Sequence, residues 1–152
     1  MTLREIDERN RAAVLALEVA PEQQRFVGSV QDALDDAAEF PHANPWYRAV
    51  YADEQPVGFV MLSWSVQPHP PDIIGPWFLW KILIDRAQQH RNYGTEAVRL
   101  IADVIRAEGA TELLTSYVPE DGGPADFYRR LGFTPTGEFD REGEPIVRLP
   151  LG

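Results

Sequence analysis

The chain has 152 residues, no cysteine and a formal net charge of −10. That length fits one domain over residues 1–152 and suffices to enclose a core, and 44% apolar with 25% charged residues is the balance of a soluble globular fold. The missing cysteines exclude disulfides, thiolate metal sites and a cysteinyl-enzyme intermediate, while the acidic surface disfavours nucleic acid and attracts cations.

Thr2–Ile6 predicts a short first strand. The opening MTLREIDERN is charged throughout, so no signal peptide is expected. Asp7 or Asn10 can cap a first helix carrying Ala13, Val14 and Leu17 on one face, and Pro21 ends it. A second, acidic helix covers Gln31–Ala38 with Ser29 as its cap. Pro41 and Pro45 bracket a loop. Trp46–Tyr51 and Val57–Trp64 predict two strands joined at Asp53-Glu54-Gln55-Pro56 as a hairpin. Between Ala20 and Gln55 stand seven acids against two arginines, which suits either a solvated face or a cation-attracting one.

Gln67–Pro76 holds Pro68, Pro70, Pro71 and Pro76 and predicts a stiff loop. Trp77–Ile84 is a near-continuous apolar run, broken by Lys81, that suits a central strand buried on both faces. The most apolar stretch, Ile73–Ile84, is interrupted by Gly75, Pro76 and Lys81 and falls short of the about 20 apolar residues that span a bilayer. A cytoplasmic protein with no membrane partner is therefore the expectation. A helix follows over Thr95–Glu108, with Ala97, Val98, Ile101, Val104 and Ile105 as its buried stripe and Gly109 as its stop. Leu113–Tyr117 is the next strand. Pro124 stands at the first position of a helix running to Leu131 and ending at Gly132. Phe133–Phe139 and Pro145–Leu149 close the chain as a hairpin around Asp140–Gly143. The order βααβββαβαββ describes a mixed α/β layered domain. The helix between Trp77–Ile84 and Leu113–Tyr117 makes those two strands parallel, by a right-handed crossover.

The segment that carries chemistry runs from a buried strand through a polar loop into a helix, Ile82 to Thr95. A helix N-terminus presents free N–H groups and a partial positive charge, so it can hold an anion such as pyrophosphate, and Arg91 can add a charge-assisted bond. His42, His69 and His90 show no metal-ligand spacing, and no metal is expected.

Within that segment, Gln89-x-x-Asn92-x-Gly94 resembles the acetyl-CoA loop of the GNAT superfamily of N-acyltransferases, usually Q/R-x-x-G-x-G/A. Asn92 stands where the first glycine is usual, and asparagine tolerates left-handed backbone angles better than most residues. Ala125-Asp126-Phe127-Tyr128-Arg129-Arg130-Leu131-Gly132-Phe133 resembles the late signature A-x-x-F/L-Y-x-x-x-G-F, with Asp121 near the place of a common asparagine. Val57-Gly58-Phe59-Val60 is similar to the strand that follows an acidic turn in the same superfamily. Asn10-Arg11-Ala12-Ala13 and Gly137-Glu138-Phe139-Asp140 resemble the bacterial polyamine acetyltransferases.

The resemblance implies a mixed sheet with splayed parallel strands and a direct transfer of acetyl from acetyl-CoA to a small cationic amine. It implies that the strand Ile82-Leu83-Ile84 binds the pantetheine through its backbone, that Gln89, His90, Arg91, Asn92, Tyr93, Gly94 and Thr95 bind the pyrophosphate, and that Asp121 and Tyr128 also meet the cofactor. A backbone N–H near Ile82 would steady the oxyanion. Tyr128 is the expected general acid, since a phenol can give the departing thiolate a proton or a strong hydrogen bond. The attacking amine must lose a proton, yet Leu79-Trp80-Lys81 offers no carboxylate. Water, or Glu22 or Glu39 from the acidic N-terminal region, stands open as the base, with Trp80 beside the acceptor. Dimers are common in the families it resembles, so a homodimer is the expected assembly. An amine-bearing antibiotic, a peptide or protein amine, or a non-catalytic CoA-binding domain are the alternatives.

Overall fold

The computed structural model describes residues 1–152 apart from Arg25 and His90. Seven strands form one sheet in the order β1-β2-β3-β4-β5-β7-β6. They are β1 (Thr2–Arg4), β2 (Pro45–Ala52), β3 (Gln55–Ser63), β4 (Phe78–Ile84), β5 (Glu112–Ser116), β6 (Thr134–Phe139) and β7 (Pro145–Pro150). Among the described residues four α-helices pack on it: α1 (Arg11–Leu15), α2 (Val30–Glu39), α3 (Tyr93–Arg106) and α4 (Ala125–Leu131). Among the described residues no helix is long and apolar enough to cross a membrane.

Local chemistry explains the element ends. Ser29 caps α2 with a reciprocal box: its hydroxyl accepts from the Asp32 N–H, and the Asp32 carboxylate accepts from the Ser29 N–H, each at 3.0 Å. α3 is amphipathic and buries Ala97, Val98, Ile101, Ala102 and Ile105. Ala102 thus joins the stripe in place of Val104, which is half-buried. Pro124 is the N-cap of α4, one position earlier than the sequence predicts.

β3, not β4, is the strand buried on both faces. Phe59 and Met61 enter the core under α1 and α2, while the alternate residues Val60 and Leu62 enter the core under α3 and α4. β4 was the expected candidate, but only Leu79 and Leu83 are buried there. The reason is its edge. β4 pairs in parallel with β5 at two rungs alone, Phe78 with Leu114 and Leu79 with Thr115, and beyond them one side of β4 faces a cleft.

The separation has a local cause. Against β3, Met61 pairs with Lys81 and Leu62 with Leu79, so Trp80 is an extra residue in β4. A bulge bends its strand and increases the twist. This one falls directly after the last rung shared with β5. It also reverses the facing of the strand: Leu79 points into the α3–α4 core and Leu83, four residues on, into the α1–α2 core.

Candidate active site

The fork between β4 and β5 opens into a cleft of about 1750 Å³. One wall is β4 from Phe78 to Ile84; the other is formed by Ser116, Tyr117, Val118 and the α4 residues Phe127 and Tyr128. Past Leu79 the edge of β4 makes no ladder bonds to β5. Its backbone groups are therefore available to an extended chain carrying amides. At the far end the cleft meets the start of α3, where Asn92, Tyr93, Gly94 and Thr95 line it.

Asn92 holds the turn into α3 at φ 62 and ψ 16, a left-handed conformation, and no side chain caps this end among the described residues. The first N–H groups of a helix have no partner within it, so the start of α3 brings free N–H groups and the positive end of the helix dipole to the cleft wall. A Cβ on Gly94 would lie 3.2 Å from two ring carbons of Phe127. The glycine lets the Phe127 ring close the bottom of the cleft against the helix start.

Of the residues expected to bind the cofactor, Ile82, Leu83, Ile84, Gln89, Asn92, Tyr93, Gly94, Thr95 and Tyr128 all line this cleft. The Gln89 side chain is committed elsewhere: its amide donates to the Ile84 carbonyl at 3.0 Å and to Gln23 Oε1 at 2.7 Å, tying the loop to β4 and to the segment before α2. Arg91 and Asp121 are exposed and stand outside the cleft wall. His90 lies outside the described residues. Arg99, one turn along α3 from Thr95, reaches the wall instead; only its i+4 spacing from Thr95 could have pointed to it.

Tyr128 sits in the fork, 6% exposed. Its ring stacks on Tyr117 at 5.9 Å and meets Phe127 and Phe133 edge-on. The phenol lies beside the Thr115 side chain. The Thr115 hydroxyl in turn donates to the Leu79 carbonyl at 2.8 Å. Burial pushes the Tyr128 phenol up to about 12, against a smaller opposing effect of the neighbouring Thr115 hydroxyl, so it is protonated throughout the neutral range.

The opposite end of the cleft differs from the sequence expectation. Glu22 and Glu39 are exposed and stand outside its wall, Glu22 in the turn Pro21–Gln23 before α2 and Glu39 at the end of α2, which turns a different face inward. Asp36, three residues before Glu39, lines the cleft and pairs with Lys81 at 3.5 Å. Trp80 does line it, with Phe40 6.3 Å away between ring centres. The proline-rich loop contributes Asp72, which is ion-paired to Arg141 of the β6–β7 turn. That turn brings Asp140 and Glu144 to the same end. The sequence reading missed them because nothing local shows that β7 lies between β5 and β6. Among the described residues no group of His, Asp or Glu is arranged to hold a metal ion.

Comparison with known proteins agrees with this architecture. The profile of the acetyltransferase (GNAT) family matches residues 24–133. The spermine/spermidine N(1)-acetyltransferase of Bacillus subtilis (strain 168) is 25% identical over 148 residues, covering 97% of this chain and 96% of the relative. Among solved structures, aminoglycoside acetyltransferase AAC(6')-Ib in complex with coenzyme A superposes with a TM-score of 0.74 at 14% identity, over 98% of this chain and 94% of that one. PaiA N-acetyltransferase from Thermoplasma acidophilum in complex with coenzyme A gives a TM-score of 0.66 at 13% identity, over 98% of each chain. The chain belongs to the GNAT acetyltransferase family, and with it comes acyl-CoA-dependent N-acetyl transfer with acetyl-CoA as the donor.

Proposed function

We propose that this GNAT acetyltransferase moves acetyl directly from acetyl-CoA to a primary amine of a small cationic acceptor in the cytoplasm, with a polyamine such as spermidine or spermine as the favoured substrate. The observation that carries this reading is the two-ended cleft. One end offers helix amides suited to a diphosphate. The other sets the Trp80 and Phe40 rings beside Asp36, Asp140 and Glu144, a surface suited to an alkyl chain bearing ammonium groups. The likeness to the Bacillus subtilis polyamine enzyme supports the same acceptor.

In this reading the pantetheine arm lies along β4 and bonds to the backbone of Ile82 and Ile84, taking the place β5 vacates after Leu79. The diphosphate rests on the N–H groups of α3 around Gly94 and Thr95, with Arg99 near it. The thioester then sits at the fork, beside Tyr128, with a β4 N–H near Ile82 facing the oxygen that gains charge. A thiol has a pKa of about 8.5, whereas the Tyr128 phenol is near 12. Complete proton transfer from phenol to thiolate is therefore uphill. Tyr128 serves chiefly by hydrogen bonding to the departing sulfur, and the proton that finally reaches sulfur originates on the attacking nitrogen.

Thiol release from acetyl-CoA, followed across a panel of spermidine, spermine, an aminoglycoside and a lysine-containing peptide, tests the proposal. Release that is fastest with the polyamines supports it. Release with the aminoglycoside or the peptide alone reassigns the acceptor, and tight CoA binding without release from any amine defeats the catalytic reading.

A further inference from the structure

A primary amine is largely protonated at neutral pH and must lose that proton before its lone pair can attack. β4 passes the fork as Leu79-Trp80-Lys81 and carries no carboxylate there. The acids that reach the acceptor end of the cleft are not equivalent. Asp36 is paired with Lys81 and Asp72 with Arg141. Asp140 is engaged in the turn: one carboxylate oxygen accepts from the N–H groups of Glu142 and Glu144, and the other from the Ser116 hydroxyl at 3.0 Å. Those bonds fold the β6–β7 turn and pin it to the end of β5, beside the fork.

The same bonds set the position of Glu144. Its N–H is held by Asp140 Oδ1 at 2.9 Å and its carbonyl accepts from the Asp140 N–H at 2.9 Å. The backbone is thus fixed on both sides. The side chain is half-buried in the cleft wall, and among the described residues its carboxylate has neither a hydrogen-bond donor nor an ion pair. From this placement we infer that Glu144 is the general base that deprotonates the acceptor amine, an inference that rests on the amine-acetylation reading above.

Its surroundings suit the task. Partial burial and the nearby charges of Asp140 and Glu142 raise the proton affinity of Glu144, while the Lys81 ammonium on β4 opposes them. A carboxylate raised in this way is a stronger base while it remains ionised at neutral pH. The bound ammonium gives one proton to Glu144. The freed nitrogen forms the C–N bond as the C–S bond breaks. Its second proton passes to the sulfur at the Tyr128 end, and protonated Glu144 returns its proton to water. One proton is released per acetyl group transferred, as the overall conversion of ammonium and thioester to amide and thiol requires.

Glu144→Gln tests this directly, with spermidine as acceptor. Its kcat/KM should fall by about 10²-fold or more at pH 7. In the unaltered protein kcat/KM should drop as pH falls through the Glu144 titration, above the ordinary carboxylate range; the variant should lack that limb and gain rate about tenfold per pH unit as the amine deprotonates itself. Coenzyme A affinity, measured by calorimetry, should be unchanged and so report an intact fold. Lys81→Met should move the acidic limb of the otherwise unaltered protein to higher pH. Retention of the full rate and the same limb in Glu144→Gln, or a limb that stays put in Lys81→Met, overturns the assignment of Glu144 alone. Failure of the unaltered protein to release thiol with any amine overturns the acetylation reading together with it.

Discussion

The Thr115 hydroxyl on β5 donates to the Leu79 carbonyl on β4 at 2.8 Å, at the last rung before the two strands part. A side chain thus closes the fork at the point where the backbone ladder ends. The same side chain lies beside the Tyr128 phenol, so one threonine meets both the strand separation and the proposed catalytic tyrosine. Thr115 is 1% exposed, and removing its hydroxyl takes this donor from the buried end of the Leu79 carbonyl.

Thr115→Val should therefore lower unfolding free energy by about 1–3 kcal/mol, the usual cost of an unsatisfied buried group. Thr115→Ser keeps the hydroxyl and should recover most of the loss. Urea denaturation of the three proteins checks this. Equal midpoints for threonine and valine would show that the hydroxyl contributes nothing to the fork.

Tyr128→Phe should reduce turnover by about 10²-fold or more and leave coenzyme A affinity nearly unchanged. It also carries a signature in stability. Below pH 10 the phenol is protonated in folded and unfolded chains alike. Between 10 and about 12 the unfolded chain loses that proton while the folded one keeps it. Unfolding then releases a proton, and stability falls as pH rises by up to about 1.4 kcal/mol per unit. The phenylalanine variant should lose that part of the decline. Denaturation curves collected across this range, and steady-state turnover at pH 7, measure the two effects separately.

Much of the loop into α3 was legible in the sequence. An asparagine in the glycine position of the loop implied a residue able to take a left-handed conformation, and Asn92 does so at φ 62. Ser29 marked the start of α2, which it caps. The acceptor end was not legible. The bulge at Trp80 depends on register against β3, which no periodicity within β4 reveals. Asp140 and Glu144 reach the cleft because β7 runs antiparallel to β5, with Ile146 opposite Ser116, which puts the β6–β7 turn at the mouth of the fork. That is a property of strand order. Composition indicated an acidic region in the right part of the chain, yet the helical face of α2 selects Asp36 over Glu39.

Asn92 gives a test of the loop itself. A β-branched residue resists positive φ, at a cost of roughly 1–2 kcal/mol. Asn92→Val should therefore be destabilised by about that amount and bind coenzyme A more weakly, because the first turn of α3 is displaced. Asn92→Gly, which adopts this φ without a Cβ clash, should bind at least as well as the unaltered protein. Thermal melts with and without coenzyme A give both comparisons.

The central claim is that the diverging edges of β4 and β5, with the amides at the start of α3, form a seat for a thioester donor. Isothermal titration of the protein with coenzyme A tests it most directly. Saturable binding of one molecule per chain, weakened when coenzyme A is replaced by an analogue lacking the diphosphate, is the predicted result. An absence of binding heat and of any thermal stabilisation across millimolar coenzyme A would contradict it.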